Sequence, residues 1–162
     1  MESQLSSGKE WLEQLLALMG VAAGVETEGF ETVDADSEAS WLNVKVDELS
    51  EAQRQQLIGK KGESIDAIQY LANTILNLGA EPEQQNSFMV ELGGYRVQRN
   101  RELTTLTEEA IAKVQSTGEE AEIPGLSSAE RKQIHSLMES TEGLRSESRG
   151  QEPNRQLVVL PE

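Results

Sequence analysis

Two short runs hold the side chains best suited to chemistry. The first is Gly59-Lys60-Lys61-Gly62. Glycine at both ends of a turn lets backbone approach backbone closely, because no Cβ intervenes. The following segment has a helical pattern, and the amides that open a helix favour an anion. Lys60 and Lys61 place charge at the tip, where a sugar-phosphate chain can pass. The competing reading is a plain helix–turn–helix corner whose glycines serve geometry alone. It is not a nucleotide-binding P-loop, because G-x-x-x-x-G-K-[ST] does not occur. Glu63 follows at once; it suits the helix dipole but repels a phosphate set too near.

The second run is Arg131-Lys132-Gln133-Ile134-His135. Four residues of helix bring Arg131 and His135 to one side, flanking the apolar face that contains Ile134. A guanidinium forks to phosphate, and an imidazole hydrogen-bonds or stacks. The bland alternative is that both pack the helix edge. His135 is the only histidine and there is no cysteine, which excludes disulfides, thiolate metal sites and thiol catalysis. Catalysis would need carboxylate pairs or a serine with a lysine, and acids on helix faces and loops are ordinarily solvated charge. These residues therefore predict a protein that is not an enzyme and uses no cofactor and no metal.

Charge sets a constraint. The 162 residues carry a formal net charge of −15, the wrong sign for an ordinary nucleic-acid binder. Residues 1–38 hold nine acids against Lys9 alone, a net of −8, while residues 94–162 hold twelve acids against nine bases, a net of −3. The bases gather at Lys60-Lys61, Arg96/Arg99/Arg101, Arg131-Lys132 and Arg145/Arg149/Arg155. Such clusters bind phosphate inside a repulsive field, more weakly and with more salt sensitivity than on a basic protein. The acidic stretch Glu26, Glu28, Glu31, Asp34, Asp36 and Glu38 suits a basic partner instead.

The elements that must position these runs alternate along the chain. Trp11, Leu12, Leu15, Leu16 and Met19 have helical spacing, stopped by Gly20. Val25 to Val33 reads as extended. Leu42, Val44 and Val46 alternate with Asn43, Lys45 and Asp47 as a strand with one polar face. A short helix over 48–57 leads into the glycine turn. Ile65, Ile68, Ala72 and Ile75 stripe the next helix, with Gly79 as its C-cap, and Phe88, Val90 and Leu92 alternate as a third strand. Gly93-Gly94 is the expected joint. Beyond it come a long helix over 95–115 with Leu103, Leu106, Ala110 and Val114 inward, and a short strand over 120–123. Next is a helix opened by the capping box Ser127 to Glu130, with Ile134, Leu137 and Met138 inward. Strands over 144–149 and 156–160 close the chain.

The string from Leu57 to Leu71, with its Gly59-Lys60-Lys61-Gly62 centre, resembles the core of a KH domain, and the flanking order of elements resembles the bacterial, type II arrangement. In that family the G-x-x-G loop clamps the backbone of about four nucleotides beside an apolar groove. The resemblance carries the clamp to Gly59, Lys60, Lys61 and Gly62, and makes Ile58, Ile65 and Ile68 groove or core residues. Residues 128–160 resemble the R-three-H domain, named for its arginine–three residues–histidine spacing. That family binds single-stranded nucleic acid, which implies roles for Arg131 and His135, with Arg145, Arg149 and Arg155 in the closing strands and turn. The paired order resembles the Jag family of bacterial RNA-binding proteins over about residues 9–160. Many members have a further basic N-terminal domain, which this sequence is expected to lack.

The expectation is an α+β protein of two small modules, KH-like over 1–93 and R-three-H over 94–162. Each is a three-stranded sheet with helices packed on one face. It implies a cytoplasmic regulator or RNA chaperone that binds single-stranded RNA, with single-stranded DNA as the other ligand and another KH protein as a partner. No apolar run approaches the roughly 20 residues of a membrane span, so no membrane insertion is expected. The alternative is a protein-interaction adaptor using KH–KH pairing and the acidic surface.

Overall fold

Leu12 and Leu16, one helical turn apart, are fully buried on α1 (Glu2–Leu18) in the computed structural model, which describes residues 2–33 and 38–162. The helix starts earlier than its apolar spacing suggests, and Met19 lies outside it and is exposed. Only Val25–Glu26 of the expected extended run forms a strand, β1. It pairs antiparallel with β2 (Ser40–Val44). Asp34 and Asp36 of the acidic stretch lie outside the described residues.

In β2 the expected polar face is absent, because all five residues are buried. Asn43 is turned inward, and its Oδ1 accepts the amide of Gly93 at 3.1 Å. Ser50 opens α2 (Glu51–Ile58) with a complete capping box to Gln53. After the glycine turn comes α3 (Glu63–Leu76), with Ile65, Ile68 and Ala72 in the core. Ile75, expected on the same stripe, is exposed, and Leu76 packs against the core in its place. Gly79 lies beyond the C-cap, which is Asn77.

The third strand, β3 (Phe88–Leu92), runs parallel to β2 and lies at the edge of the β1-β2-β3 sheet. Its free edge is sealed by α3. Gln69, Asn73 and Asn77, four residues apart, face this edge with their side-chain amides. Gln69 accepts the Val90 amide at 3.1 Å, and Asn73 accepts the Phe88 amide at 2.9 Å and donates to the Phe88 carbonyl at 2.7 Å. Asn77 makes the same two-way contact with Asn86, at 2.8 Å each way. Unpaired edge groups are thereby satisfied without a fourth strand.

The chain divides into two compact units, Met1–Gln98 and Arg99–Glu162. The division falls one turn into α4 (Tyr95–Thr117), because that turn is tied to the first unit. The Glu91 carboxylate, fully buried, accepts the amides of Leu92 at 2.7 Å and Arg96 at 3.0 Å. Arg96 in turn donates to the Val90 carbonyl and to Asp66.

In the second unit, β4 (Ala121–Ile123), β5 (Leu144–Arg149) and β6 (Gln156–Pro161) form an antiparallel sheet in the order β4-β6-β5. Leu103, Ala110 and Val114 of α4 join Ile134 and Met138 of α5 (Ser128–Glu139) in its core. Leu137, expected inward, is half exposed, because Arg131, Ile134 and Met138 make the buried face of that helix. The architecture is α+β, with a three-stranded sheet and packed helices in each unit.

Replacing Asn73 with Ala orphans the amide and carbonyl of Phe88 together. Each unsatisfied group costs about 1–3 kcal/mol, so Asn73→Ala should lower the unfolding free energy by about 2 kcal/mol or more in urea titration. A loss below about 0.5 kcal/mol, the size of an ordinary surface substitution, would show that the edge does not depend on this side chain.

Candidate nucleic-acid interface

The glycine turn is a strained corner. Gly59 has φ 73° and ψ 178°, Lys61 φ 54° and Gly62 φ 78°. A Cβ on Gly59 would stand 2.3 Å from Ser64 Oγ, and one on Gly62 2.7 Å from the Tyr95 hydroxyl. Both glycines are thus required by sterics as well as by backbone angle. Gly62 is also the N-cap of α3, and it offers no side-chain hydrogen bond. By contrast, α2 and α5 have complete capping boxes from Ser50 and Ser127. The Gly62 amide donates to the Gly59 carbonyl at 3.3 Å and the Glu63 amide to the Lys60 carbonyl, so the start of α3 is capped by backbone and has no side-chain cap.

The two lysines are not equivalent. Lys60 is exposed and has no ion-pair partner among the described residues, whereas Lys61 is half buried and engaged within the protein. Ile58 is half buried against the core, and Ile65 and Ile68 belong to the core itself. Of the expected groove residues, only Ile58 keeps appreciable exposure.

In the second unit the arginine of the four-residue spacing departs from expectation. Arg131 is only 5% exposed. It donates to the Leu126 carbonyl at 3.0 Å, Ser128 Oγ at 2.9 Å, the Arg155 carbonyl at 3.4 Å and the Glu152 carboxylate. Its place on the face with Ile134 and Met138 explains this, and its guanidinium is not free to fork to phosphate. His135 is half exposed over β5, with Nδ1 2.7 Å from Ser146 Oγ and Nε2 3.0 Å from Ser148 Oγ. Those serines alternate along the strand and so share one face. His135, Met138, Leu144, Arg145 and Ser146 line an open groove of about 650 Å³, which Glu139, Glu142 and Glu162 make acidic.

The remaining arginines divide by partner. Arg149 is exposed and held by Glu120 at 2.9 Å and by Glu147, hydrogen bonds that push its pKa up. Arg145 is exposed, 3.8 Å from Glu147. Arg155 is exposed, and its side chain has no ion-pair partner among the described residues. Arg99 is committed to Glu130, at 2.8 Å, and to Glu102. Burial pushes the Glu130 carboxyl up, but hydrogen bonds from Arg99 and the Ser127 amide outweigh it and hold the group below the usual carboxylate range. Tyr95, Glu152, Ser146 and Ser148 all shape these sites without a motif to announce them; only the i, i+2 serines on a strand carried a readable signal.

Residues 101–161 match the family model of the R-three-H domain. This part of the chain is an R-three-H domain. Over 150 residues the chain is 28% identical to the RNA-binding protein KhpB of Clostridium symbiosum, covering 93% of this chain and 63% of that protein. It is 30% identical over 105 residues to the RNA-binding protein KhpB of Bacillus subtilis (strain 168), covering 64% of this chain and 50% of that protein. To the protein of the same name from Lactiplantibacillus plantarum it is 31% identical over 103 residues, covering 64% of this chain and 31% of the relative. The chain is homologous to these proteins and spans less than two thirds of their length. The matched residues take in α5 with Arg131 and His135.

Gly62→Ala should lower the melting temperature, and Tyr95→Phe should recover part of that loss by clearing the hydroxyl. No recovery would place the whole cost in the backbone angle. In the R-three-H domain, Glu130 titrates below its unfolded value. Its contribution to stability is present above the ordinary carboxylate pKa and lost as pH falls through the depressed one. Glu130→Gln should therefore flatten the acid side of the stability–pH curve, measured by urea unfolding across the acid range; an unchanged curve would contradict this.

Proposed function

We propose that this chain binds single-stranded RNA without catalysing a reaction, through a KH-type first unit and the R-three-H domain. The carrying observation is the Gly59–Gly62 turn at the start of α3, where a helix N-terminus without a side-chain cap lies beside the exposed charge of Lys60, which has no ion-pair partner among the described residues. That arrangement suits a sugar-phosphate backbone. Support also comes from the order of elements in the first unit, which resembles that of a type II KH domain, and from relatives named as RNA-binding proteins. In the R-three-H domain, His135 and Arg145 at the open groove offer stacking and charge to an unpaired nucleotide, and Arg155 adds a phosphate contact. Two weak sites on one chain raise each other's effective concentration. Such a protein acts in the cytoplasm as a post-transcriptional regulator or RNA chaperone. Single-stranded DNA is the comparison ligand.

A second reading, a protein-interaction adaptor pairing with another KH protein, is favoured by exposed apolar side chains on and just after α3. Tyr70 is 70% exposed and Leu78 78%, with Leu71 and Ile75 beside them in sequence. Filter binding of single-stranded RNA by the parent and by Lys60→Glu, at several salt concentrations, separates the two. RNA binding predicts about tenfold weaker affinity for the variant, equivalent to about 1.4 kcal/mol. Its log–log salt slope should be shallower by about 0.7, the loss of one phosphate contact. Equal binding and equal slope for the two proteins would favour the adaptor.

A further inference from the structure

Arg131 is buried, but its hydrogen bonds reach in two directions. Leu126 and Ser128 lie at the start of α5, while Glu152 and Arg155 lie in the turn between β5 and β6. Within that turn the Asn154 amide donates to the Gln151 carbonyl at 2.9 Å. All of its residues from Gln151 to Arg155 are exposed. A single buried cation thus ties an exposed turn to a helix terminus. The turn carries Arg155, whose guanidinium has no ion-pair partner among the described residues, whereas Arg149 at its other end is taken up by Glu120 and Glu147.

We propose that Arg131 is a positioning residue for nucleic-acid binding: through Glu152 and the Arg155 carbonyl it holds the β5–β6 turn so that the Arg155 side chain meets phosphate. The inference rests on the RNA-binding reading of the R-three-H domain. It assigns to Arg131 no contact with RNA. A buried guanidinium that loses the one carboxylate it pairs with among the described residues is left under-paired, which is costly, so the clasp depends on Glu152 as much as on Arg131.

Glu152 makes the idea decidable, because its side chain is 56% exposed and its replacement spares the core. If Arg131 bound phosphate itself, Glu152 would compete with the RNA. Glu152→Gln would then free the guanidinium, remove a negative charge and strengthen binding. If Arg131 acts through the turn, Glu152→Gln weakens binding although it makes the protein less acidic.

The experiment uses the full chain and a fluorescein-labelled single-stranded RNA of mixed sequence, followed by anisotropy. Parent, Glu152→Gln, Arg155→Ala and the double variant form a cycle. Glu152→Gln and Arg155→Ala should each weaken binding severalfold, and the double variant should bind no worse than Arg155→Ala alone. Binding by Glu152→Gln as tight as or tighter than the parent overturns the proposal. So does a double variant that shows the full product of the two losses. Hydrogen exchange over residues 150–155, read without RNA, should be faster in Glu152→Gln than in the parent; unchanged exchange also overturns it. Failure of the parent to bind RNA would overturn the RNA-binding reading itself, whereas the exchange result judges the clasp independently.

Discussion

The first unit depends on the way α3 is bolted to the edge of β3. Three amide side chains, at Gln69, Asn73 and Asn77, replace the missing strand neighbour with hydrogen bonds of 2.7–3.1 Å. The apolar stripe of Ile65, Ile68 and Ala72 supplies burial, which is not directional. The amide bonds are directional and fix the height and rotation of the helix along the strand. The position of the Gly59–Gly62 turn follows from that register, because α3 begins at its last glycine. From the other side Tyr95 closes on Gly62, and Arg96 pairs with Asp66 at 3.0 Å. The corner is therefore held by the helix it opens and by the first turn of α4.

Under the proposed function, electrostatics has to reconcile an acidic chain with phosphate contacts. Most of its arginines are spent inside the protein. Arg96, Arg99, Arg131 and Arg149 each hold a carboxylate. Lys60, Lys132 and Arg155 are among the exposed cations left without an ion pair among the described residues. The acidic total is a long-range term that salt screens over about 10 Å at 0.1 M, while a phosphate at the proposed Gly59–Gly62 site would interact at contact distance. On that reading, a few unpaired cations among the described residues and a repulsive surround would make binding weak and salt-sensitive.

Much of this was legible in the sequence where local chemistry alone decides. The α+β class and the order of elements follow from period and turn residues. The capping box at Ser127 and Glu130 forms as its spacing requires. The glycine turn was readable because both of its ends take positive φ angles that glycine adopts without strain. What stayed hidden depends on contacts distant in sequence. Asn43 looked like the solvent face of a strand, yet it caps Gly93, fifty residues away. Arg131 looked like a surface cation, but the inward face of α5 runs through it, and Glu152 is twenty-one residues distant. Gln69, Asn73 and Asn77 drew no expectation from the sequence, because the strand edge they serve follows them in the chain.

The central claim is that the backbone of the Gly59–Gly62 turn and the start of α3 receives a phosphate chain. A titration of the 15N-labelled full chain with single-stranded RNA, followed by amide chemical shifts, tests it most directly. The account predicts the largest progressive shifts at Gly59, Lys60, Lys61, Gly62, Glu63 and Ser64, with a second group around His135 and Arg155. RNA that binds while the amides of residues 59–64 stay unmoved would contradict it.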